Sequence, residues 1–330
     1  MNLQIYGINY KNTDIETREK YYLGGDNVSS VLFDFKRANI LPSVIVSTCN
    51  RTEFYFSGNI KMPNLIYHKI TEHFHKIEGF PAVRHLFRLT SGLESQILGE
   101  NEILSQVKNA YYRSLNFGLT DKFFNQIFNH TLKTAKEVRR TTKISSGNIS
   151  FASIVFNKTK HILNNIDGKN FLMLGTGTLA ETILNYFSRN KIKLKIISGK
   201  NYDKATKLAE LFETEVICFD KLKSAVDSAD VIITATNAPH FVVKKNDLSE
   251  KRKNCLIFDL SVPRNVNPDV KSSKIILYNL DDLKKISDKN LELRKNSVSE
   301  AEKIIDGEIE KLNEIWKRNS ELEQGLHLWH

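Results

Sequence analysis

The sequence predicts an α/β protein that contains more than one domain. Between residues 171 and 277, six short apolar runs alternate with stretches of helical periodicity, which is typical of a doubly wound parallel sheet of the Rossmann type. The chain has 330 residues, more than one hydrophobic core usually organises. We therefore expect three parts: an N-terminal α/β domain over 1–146, a Rossmann-type domain over 147–283, and a long helix over 284–330.

The N-terminal domain is expected to begin with strands and to continue with helices. Alternating apolar residues predict a strand over Leu3–Ile8, a second strand that ends at Cys49, and a third that begins at Glu53. From Pro63 to about Lys143 the apolar residues recur at helical spacing. The expected helices are Val28–Ala38, Ala82–Leu89, Glu102–Leu115 and Lys122–Thr141.

The second domain is expected to consist of strands separated by helices. The expected strands are Phe171–Leu174, Leu194–Ser198, Val216–Phe219, Val231–Thr236, Cys255–Leu260 and Ile275–Leu277. Directly after the first of them comes the loop Gly175-Thr176-Gly177-Thr178-Leu179-Ala180, which opens a helix that runs to about Ser188. This order of strand, loop and helix is the context in which a GxGxxG-type loop binds a dinucleotide.

A long and highly charged helical segment is expected from about Asp282 onward. Its apolar residues follow one another at steps of three and four and therefore share one face. They are Val298, Ala301, Ile305, Ile309, Leu312 and Trp316. Such a stripe must lie against the preceding domains or against a second subunit, and we expect it to be partly exposed in a monomer.

Composition limits the classes to which the protein can belong. A hydrophobic content of 41% and a charged content of 26% are those of a soluble globular protein, and no apolar run has membrane-spanning length. The three cysteines, Cys49, Cys218 and Cys255, are far apart and odd in number. They argue against disulfides and a metal site and predict a cytoplasmic location. The net charge of +10 favours polyanionic partners.

Cys49 is the candidate nucleophile. It lies in the segment Ser47–Glu53, where a strand ends and a turn can present side chains to a substrate. The fixed charge of Arg51 favours the thiolate, which is the form of cysteine that attacks carbonyl carbons. Taken alone, the segment also fits a small buried core cysteine.

The glycine loop is the candidate cofactor site. Gly175 would allow the tight turn, Gly177 would let a pyrophosphate approach the backbone, and the amides of the following helix would face the phosphates. The alternative is a structural turn that binds no cofactor. An NAD site would need an acidic residue at the end of the second strand, but the chain has Ser198-Gly199-Lys200-Asn201 there. Lys200 suits the 2′-phosphate of NADPH.

A nucleophilic cysteine on one domain and a nicotinamide bound to another indicate a reductive acyl transfer. A thiolate can take an acyl group as a thioester, which accepts hydride more readily than an ester does and then releases an aldehyde. The expected chemistry is therefore the NADPH-dependent reduction of an activated acyl group.

Several motifs carry a resemblance to a known family. They are Ser47–Glu53, His85–Phe87, Ser91–Ser95, Leu98–Glu100, Ile103–Leu104, Gln106–Lys108, Gly7–Lys11, the Gly175 loop and Asp259–Arg264. Together they resemble the glutamyl-tRNA reductase family, from the first residues to about Trp316.

The resemblance implies an NADPH-dependent reduction of glutamyl-tRNA to glutamate-1-semialdehyde, the entry step to tetrapyrroles. Cys49 would displace the tRNA from the glutamyl ester, and His85 would orient or polarise the reacting centre. Arg51 would bind the substrate carboxylate. The residues at positions that hold the glutamyl group are Thr48, Asn50, Arg51, Ser95, Glu100, Asn101, Glu102 and Gln106. The family also suggests that the aldehyde passes to glutamate-1-semialdehyde aminomutase.

Three features depart from the family pattern. Glu102 stands where the family usually has glutamine, which puts a possible charge near an anionic substrate. Lys200 replaces the usual arginine at the 2′-phosphate position. The chain ends at His330, whereas the family usually continues into a helical dimerisation domain. We therefore expect a shortened dimerisation region: either a homodimer uses the remaining helix, or dimerisation is weakened, or the chain is a shortened form.

Two other functions fit parts of the sequence. One is a relative that binds aminoacyl-tRNA or a partner enzyme without reducing anything, but such a binder needs neither the Cys49 thiol nor a hydride source. The other is a shikimate-type dehydrogenase that shares only the Rossmann half, which has no use for the segment Thr48–Arg51. Consumption of NADPH that requires charged glutamyl-tRNA, and not free glutamate, distinguishes all three.

Overall fold

The computed structural model describes residues 3–58, 73–100, 102–142, 144, 150–198, 202–249, 254–287 and 295–326. Contacts between Cα atoms divide the chain into two compact units. The first consists of Met1–Asp14, Tyr21–Gly147 and Asn290–His330, and the second of Ile15–Lys20 and Asn148–Lys289. The sequence predicts 284–330 as a segment of its own; of its described residues, 284–287 belong to the second unit and 295–326 to the first.

A four-stranded antiparallel sheet forms the base of the first unit. Its strands are β1 (Leu3–Asn9), β2 (Ser43–Thr48), β3 (Arg51–Ser57) and β4 (His75–Glu78), in the order β2-β3-β1-β4. The pairing of Thr48 with Arg51 leaves Cys49 and Asn50 as a two-residue turn between β2 and β3. The turn expected at Cys49 is therefore confirmed.

Strand β4 lies in a region where the sequence predicts only helices, and that prediction is wrong for these four residues. The strand is short and alternates half-buried with exposed side chains, so it gives only a weak apolar signal. Its extended conformation comes from its pairing with β1, in which Gln4 faces Glu78 and Gly7 faces His75. Residues 59–72, where the helical pattern was expected to begin, lie outside the described residues.

Four helices of the first unit cover one face of this sheet with a large apolar cluster: α3 (Phe80–Thr90), α4 (Glu102–Asn116), α5 (Lys122–Thr141) and α11 (Lys295–Leu326). Helix α2 (Gly25–Arg37) packs in a second cluster with Ile45, Phe54 and Phe56 of the sheet. Helix α1 (Ile15–Tyr21) belongs to the second unit except for its last residue. Helix α5 has the bounds predicted from the sequence, and the carboxylate of Asp121 caps it by accepting from the amide of Phe124 at 2.7 Å.

The apolar stripe of α11 packs within its own unit. Ala301, Ile305, Ile309 and Leu312 are fully buried in the cluster that α3 and α5 also supply. The ring of Trp316 contacts that of Phe123 at an interplanar angle of 39°, with centroids 4.9 Å apart, and its Nε1 donates to Gln126 Oε1 at 2.8 Å. The prediction of a partly exposed stripe is therefore wrong for the four buried residues, because α3 and α5 already present the apolar surface that they need.

The second unit is built on the predicted six-stranded parallel sheet. Its strands are β5 (Phe171–Leu174), β6 (Leu194–Ser198), β7 (Val216–Cys218), β8 (Val231–Thr234), β9 (Cys255–Asp259) and β10 (Ile275–Asn279), in the order β10-β9-β8-β5-β6-β7. Its helices are α6 (Phe151–Leu163), α7 (Thr178–Arg189), α8 (Tyr202–Leu211), α9 (Leu222–Ser228) and α10 (Leu280–Ser287). The doubly wound fold is confirmed.

The strand order creates a switch point between β5 and β8. The chain leaves β5 toward β6 on one side, whereas β8 leads to β9 on the other. Loops that diverge in this way open a crevice at the carboxyl ends of the two strands, where ligands of such sheets bind. Within the described ranges, no helix has the length and apolarity needed to cross a membrane.

Candidate functional site

Hydrogen bonds fix the turn that carries Cys49 from both sides. The amide of Tyr10 donates to the carbonyl of Asn50 at 2.9 Å, and the amide of Asn50 donates to Thr48 Oγ1 at 3.2 Å. The Cys49 side chain is half-buried and forms no disulfide. The thiol therefore sits on a short turn that is held in one shape and is partly open to solvent.

Glu53 is the centre of a buried polar cluster next to this turn. Because side chains alternate along a strand, Arg51, Glu53 and Tyr55 project from the same face of β3. Arg51 Nη1 donates to Glu53 Oε1 at 2.7 Å, and the Tyr55 hydroxyl donates to Oε2 at 2.5 Å. His85 Nε2, from α3, lies 3.1 Å from each carboxylate oxygen. Glu53 is fully buried.

The charge of Glu53 determines how His85 is protonated. Burial alone would raise the pKa of Glu53, but the electrostatic attraction of His85 and Arg51 and the hydrogen bonds from His85 and Tyr55 outweigh burial and hold this pKa well below its usual range. An ionised carboxylate can only accept hydrogen bonds, so Nε2 of His85 must carry a proton. The other ring nitrogen, Nδ1, is then the one that can exchange a proton with a substrate.

Gly7 makes room for this cluster. It lies opposite Glu53 in the pairing of β1 with β3. A Cβ atom on Gly7 would stand 2.6 Å from Cγ of Glu53, which is closer than two non-bonded carbon atoms can approach. The glycine of the Gly7–Lys11 motif is therefore required by the carboxylate across the sheet.

Arg51 is bound by protein groups on both of its terminal nitrogens. Besides the Glu53 contact, Nη2 donates to the carbonyl oxygen of Glu94. The carboxylate of Glu94 in turn pairs with Lys11 and Arg88, and the Tyr10 hydroxyl donates to the carbonyl of Ser95 at 2.9 Å. These contacts connect the loop after α3 to the turn that carries Cys49.

The remaining predicted substrate residues lie around the start of α4. Burial, and next the charge of Glu102, raise the pKa of Glu100 to about 7. Glu102 opens α4 and Gln106 follows four residues later on the same side of the helix, both half-buried. Arg139, from α5, donates to the carbonyl of Glu100 at 3.1 Å. Asn101 lies outside the described residues.

For two residues of this region, the sequence predicts no role. Glu53 stands in a recognised motif without an assigned role, although the alternation Arg51–Glu53–Tyr55 could have revealed three polar groups on one face of a buried strand. Tyr22 precedes Leu23, whose amide donates to Ser47 Oγ at 3.0 Å. Burial, and then the Cys49 thiol, raise the pKa of the Tyr22 hydroxyl. No pattern in the sequence indicates this proximity.

The glycine loop of the second unit has the geometry of a phosphate cradle. Gly175 has φ +116°, and a Cβ atom there would stand 2.2 Å from the carbonyl oxygen of Ala235. At Gly177 a Cβ atom would meet no atom of the described residues within 4 Å apart from its chain neighbours, so those residues leave this backbone uncovered. Gly177 also supplies no side-chain cap for α7, which leaves the first amides of Thr178, Leu179 and Ala180 for a ligand.

These features fit a nicotinamide dinucleotide. Thr176 is buried, Thr178 is exposed, Leu179 is half-buried and Ala180 is packed into the sheet. The helix therefore approaches the strands closely at Ala180, and its free N-terminus faces outward beside Gly177. Lys200 lies outside the described residues.

Two family models match this chain, one over the half that contains Cys49 and one over the half that contains the glycine loop. Residues 6–142 match the family model described as glutamyl-tRNAGlu reductase, N-terminal domain. Residues 157–286 match the one described as shikimate / quinate 5-dehydrogenase. The half with Cys49 and the half with the glycine loop thus match two separate domain families.

Full-length relatives join both halves in one chain. A glutamyl-tRNA reductase of Geobacter metallireducens is 31% identical, with 98% of this chain and 79% of the relative covered. One of Methanocaldococcus jannaschii is 35% identical, with 83% and 70% covered. The solved glutamyl-tRNA reductase of Methanopyrus kandleri matches with a TM-score of 0.57 at 30% identity, with 97% of this chain and 82% of that chain covered.

Proposed function

The chain belongs to the glutamyl-tRNA reductase family, and we propose how its residues perform the reaction of that family. It is an oxidoreductase that reduces glutamyl-tRNA to glutamate-1-semialdehyde, the first step of tetrapyrrole biosynthesis. The observations that carry the proposed mechanism are the half-buried Cys49 thiol on the two-residue turn that leads into β3 and the Glu53–His85 pair that this strand forms with α3.

Cys49 is the proposed nucleophile. Its thiolate attacks the glutamyl carbonyl carbon, the bond from that carbon to the ribose oxygen of the tRNA breaks, and the tRNA leaves as an alcohol after taking up a proton. The glutamyl group remains on Cys49 as a thioester. When this thioester is reduced, Cys49 would leave as the thiolate, so that the aldehyde is released and the cysteine is restored.

His85 is proposed to carry the proton from the Cys49 thiol to the departing tRNA oxygen. Glu53 holds Nε2 in the protonated state, so that Nδ1 can accept the thiol proton and return it to the departing tRNA oxygen. The carboxylate also stabilises the imidazolium that forms in between, as the third member of a catalytic triad does. Glu53 itself keeps its charge, because its pKa lies far below neutral pH.

The glutamyl group is proposed to lie between the Cys49 turn and the start of α4. Asn50 Oδ1 is buried without a hydrogen-bond partner among the described residues, and it would accept from the substrate ammonium group. Arg51 would bind the substrate carboxylate through N–H groups that Glu53 and Glu94 do not use. The other proposed contacts are Thr48, Ser95, Glu100, Asn101, Glu102 and Gln106.

The reductant is a nicotinamide dinucleotide, and we propose that it is NADPH. When bound, it supplies the hydride. Gly175 and Thr176 would form the turn under its pyrophosphate, Gly177 would let it approach, and the α7 amides of Thr178, Leu179 and Ala180 would neutralise its charge. Lys200 would pair with the 2′-phosphate that distinguishes NADPH from NADH.

Three further proposals concern partners and location. A homodimer would use the surface of α11 that remains outside the buried stripe. Glutamate-1-semialdehyde aminomutase is the proposed acceptor of the aldehyde product. A cytoplasmic location fits the three cysteines, none of which forms a disulfide.

The function is tested by measuring which substrate supports oxidation of the nucleotide. Glutamyl-tRNA is expected to drive oxidation of NADPH, whereas free glutamate and uncharged tRNA are not. NADH is expected to be used less well. A protein that binds glutamyl-tRNA but oxidises neither nucleotide would instead be the non-reducing relative, and the proposed mechanism would be wrong.

Without a nucleotide, the enzyme is expected to convert glutamyl-tRNA slowly to free glutamate and tRNA. Water then competes for the Cys49 thioester that hydride would otherwise reduce. Release of glutamate in the absence and presence of NADPH measures this competition. If deacylation is no faster than in buffer, water does not reach an accumulated thioester.

Glu102→Gln is expected to move the pH dependence of substrate use to lower pH. Glu102 is the second cause of the raised pKa of Glu100, so its removal should bring that pKa down from about 7. Protonated Glu100 repels an anionic substrate less, so kcat/KM of the wild type should fall as pH rises through about 7. In the variant this fall should begin at lower pH.

The pH profile of kcat/KM for glutamyl-tRNA measures this shift. Glu137→Gln is the matched control, because Glu137 lies on α5 and pairs with Arg140. Its profile should keep the wild-type midpoint. Identical midpoints in the wild type and in Glu102→Gln would show that Glu102 does not act on Glu100.

A further inference from the structure

A second buried polar network lies at the carboxyl ends of β8 and β9. Asp259 ends β9 and is fully buried, and both of its oxygens accept hydrogen bonds. Thr234 Oγ1 donates to Oδ1 at 2.6 Å, and the amide of Ser261 donates to the same atom at 3.1 Å. The amides of Asn265 and Val266 each donate to Oδ2 at 2.9 Å. Asp259 thereby shapes the loop that follows its own strand.

Asn265 extends the network to the loop after β8. Its side chain is fully buried, and its Oδ1 is hydrogen-bonded to Thr236 Oγ1. Its Nδ2 group donates to the carbonyls of Ala238 at 3.0 Å and His240 at 3.3 Å. Thr236 Oγ1 also accepts from the amide of Ala238 at 3.0 Å. One amide side chain thus holds residues 236–240 in a single conformation.

The loop after β8 adjoins the cofactor cradle. Ala235, its first residue, is the group whose carbonyl oxygen would stand 2.2 Å from a Cβ on Gly175. In sheets of this order the adenosine half of the dinucleotide lies at the end of the strand after the glycine loop, here β6. The nicotinamide half must then extend the opposite way from Gly175, toward β8 and β9.

We propose that Asn265, supported by Asp259 and Thr236, is a positioning residue that shapes residues 235–240 into the wall against which the nicotinamide ring binds. None of the three has to contact the substrate. Their role is to fix a backbone whose polar groups would otherwise rearrange, because hydrogen bonds in a buried network hold one geometry. The inference rests on the assignment of the second unit as the nucleotide-binding unit.

Two substitutions at Thr236 provide the test. Thr236→Val keeps the shape of the side chain and removes the hydroxyl that bonds to Asn265, whereas Thr236→Ser keeps the hydroxyl. The dissociation constants of NADPH and of 2′,5′-ADP, its adenosine half, are measured for the wild type and both variants. NADH and ADP serve as a second pair of probes. Asn265→Ala is added as the stronger change.

We expect Thr236→Val and Asn265→Ala to weaken binding of the whole dinucleotide about tenfold or more, as the loss of one hydrogen-bonded positioning contact can do. Binding of the adenosine half should change less than about twofold, and Thr236→Ser should resemble the wild type. Equal weakening of both halves would indicate general damage to the unit and would overturn the proposal. So would unchanged dinucleotide binding in Thr236→Val.

The measurement does not use tRNA and is therefore independent of the proposed reaction. If the wild type binds neither dinucleotide, the assignment of the cofactor fails and this inference fails with it. If the wild type binds NADPH but never reduces glutamyl-tRNA, the proposed reaction is wrong. The role of Asn265 is then still decided by comparing how much each variant weakens binding of the whole dinucleotide and of its adenosine half.

Discussion

Cys49→Ser is expected to abolish aldehyde formation and to leave the fold and nucleotide binding unchanged. Serine is close to cysteine in size, and position 49 is a half-buried turn residue, so the packing cost is small. A hydroxyl is a far weaker nucleophile at neutral pH, and the ester it would form accepts hydride poorly. Loss of a catalytic nucleophile typically costs more than about 10³-fold in kcat. Aldehyde production from glutamyl-tRNA measures the effect.

Cys218→Ser is the matched control for Cys49→Ser. Cys218 is an exposed free thiol at the end of β7 in the second unit, so its replacement should leave aldehyde formation at the wild-type rate. Unchanged affinity for NADPH and unchanged denaturant unfolding in both variants would confirm that the second unit and the first, respectively, remain folded. If Cys49→Ser formed a glutamyl-enzyme as fast as the wild type, Cys49 would not be the acyl acceptor.

Glu53→Gln is expected to lower both stability and activity strongly. It leaves the Arg51 charge buried without its carboxylate, and breaking a buried ion pair in this way costs about 3–5 kcal/mol. The neutral amide of glutamine also lacks the negative charge that keeps a proton on Nε2 of His85. Loss of the equivalent carboxylate in a catalytic triad lowers kcat about 10⁴-fold. Denaturant unfolding and kcat of the folded enzyme measure the two effects.

The destabilisation by Glu53→Gln should depend on pH. The pKa of Glu53 is lowered in the folded state, so its contribution is fully present above the unfolded value, about 4.3, and is lost as pH falls through the folded value. The difference in unfolding free energy between wild type and variant should therefore be largest at neutral pH and shrink below about pH 4.

Tyr55→Phe separates the ion pair from the rest of the cluster. It removes one hydrogen bond to Glu53 and keeps the contacts of Arg51 and His85. We expect the unfolding free energy to fall by about 1 kcal/mol and its pH dependence to change little. A Glu53→Gln variant no less stable than Tyr55→Phe would contradict the assignment of Glu53 as a buried charge.

Elements with strong local signals could be predicted from the sequence. Helix α5 has a capping residue, Asp121, and a continuous amphipathic pattern, and its predicted bounds agree with the structure. Strands β5 and β6 are short apolar runs bounded by polar residues, and their bounds also agree. In each case the residues of one segment are sufficient to determine its conformation.

Features that depend on distant partners could not be predicted in the same way. Strand β4 exists because β1 pairs with it, and its own residues carry almost no apolar signal. From the sequence, the apolar stripe of α11 could lie against the preceding domains or against a second subunit. Only the fold shows that α3 and α5 cover it. Periodicity identifies which face is apolar, but it does not identify the surface that covers it.

The sequence predicts residues for the candidate site but not its electrostatics. The strand pattern places Cys49 on a turn, and only the family resemblance indicates His85. The contact of His85 with Glu53, 32 positions away in the sequence, exists only in the folded chain. The same holds for the pKa of Glu100, which is raised to about 7 mainly by burial. Burial and charge proximity arise only when the chain is folded.

The most direct test is the mass of the intact protein after mixing with glutamyl-tRNA in the absence of nucleotide. We expect one glutamyl adduct, attached to the peptide that contains Cys49, which disappears with formation of the aldehyde when NADPH is added. An adduct on another residue, or aldehyde formed at the normal rate by Cys49→Ser, would contradict transfer of the glutamyl group through this thiol.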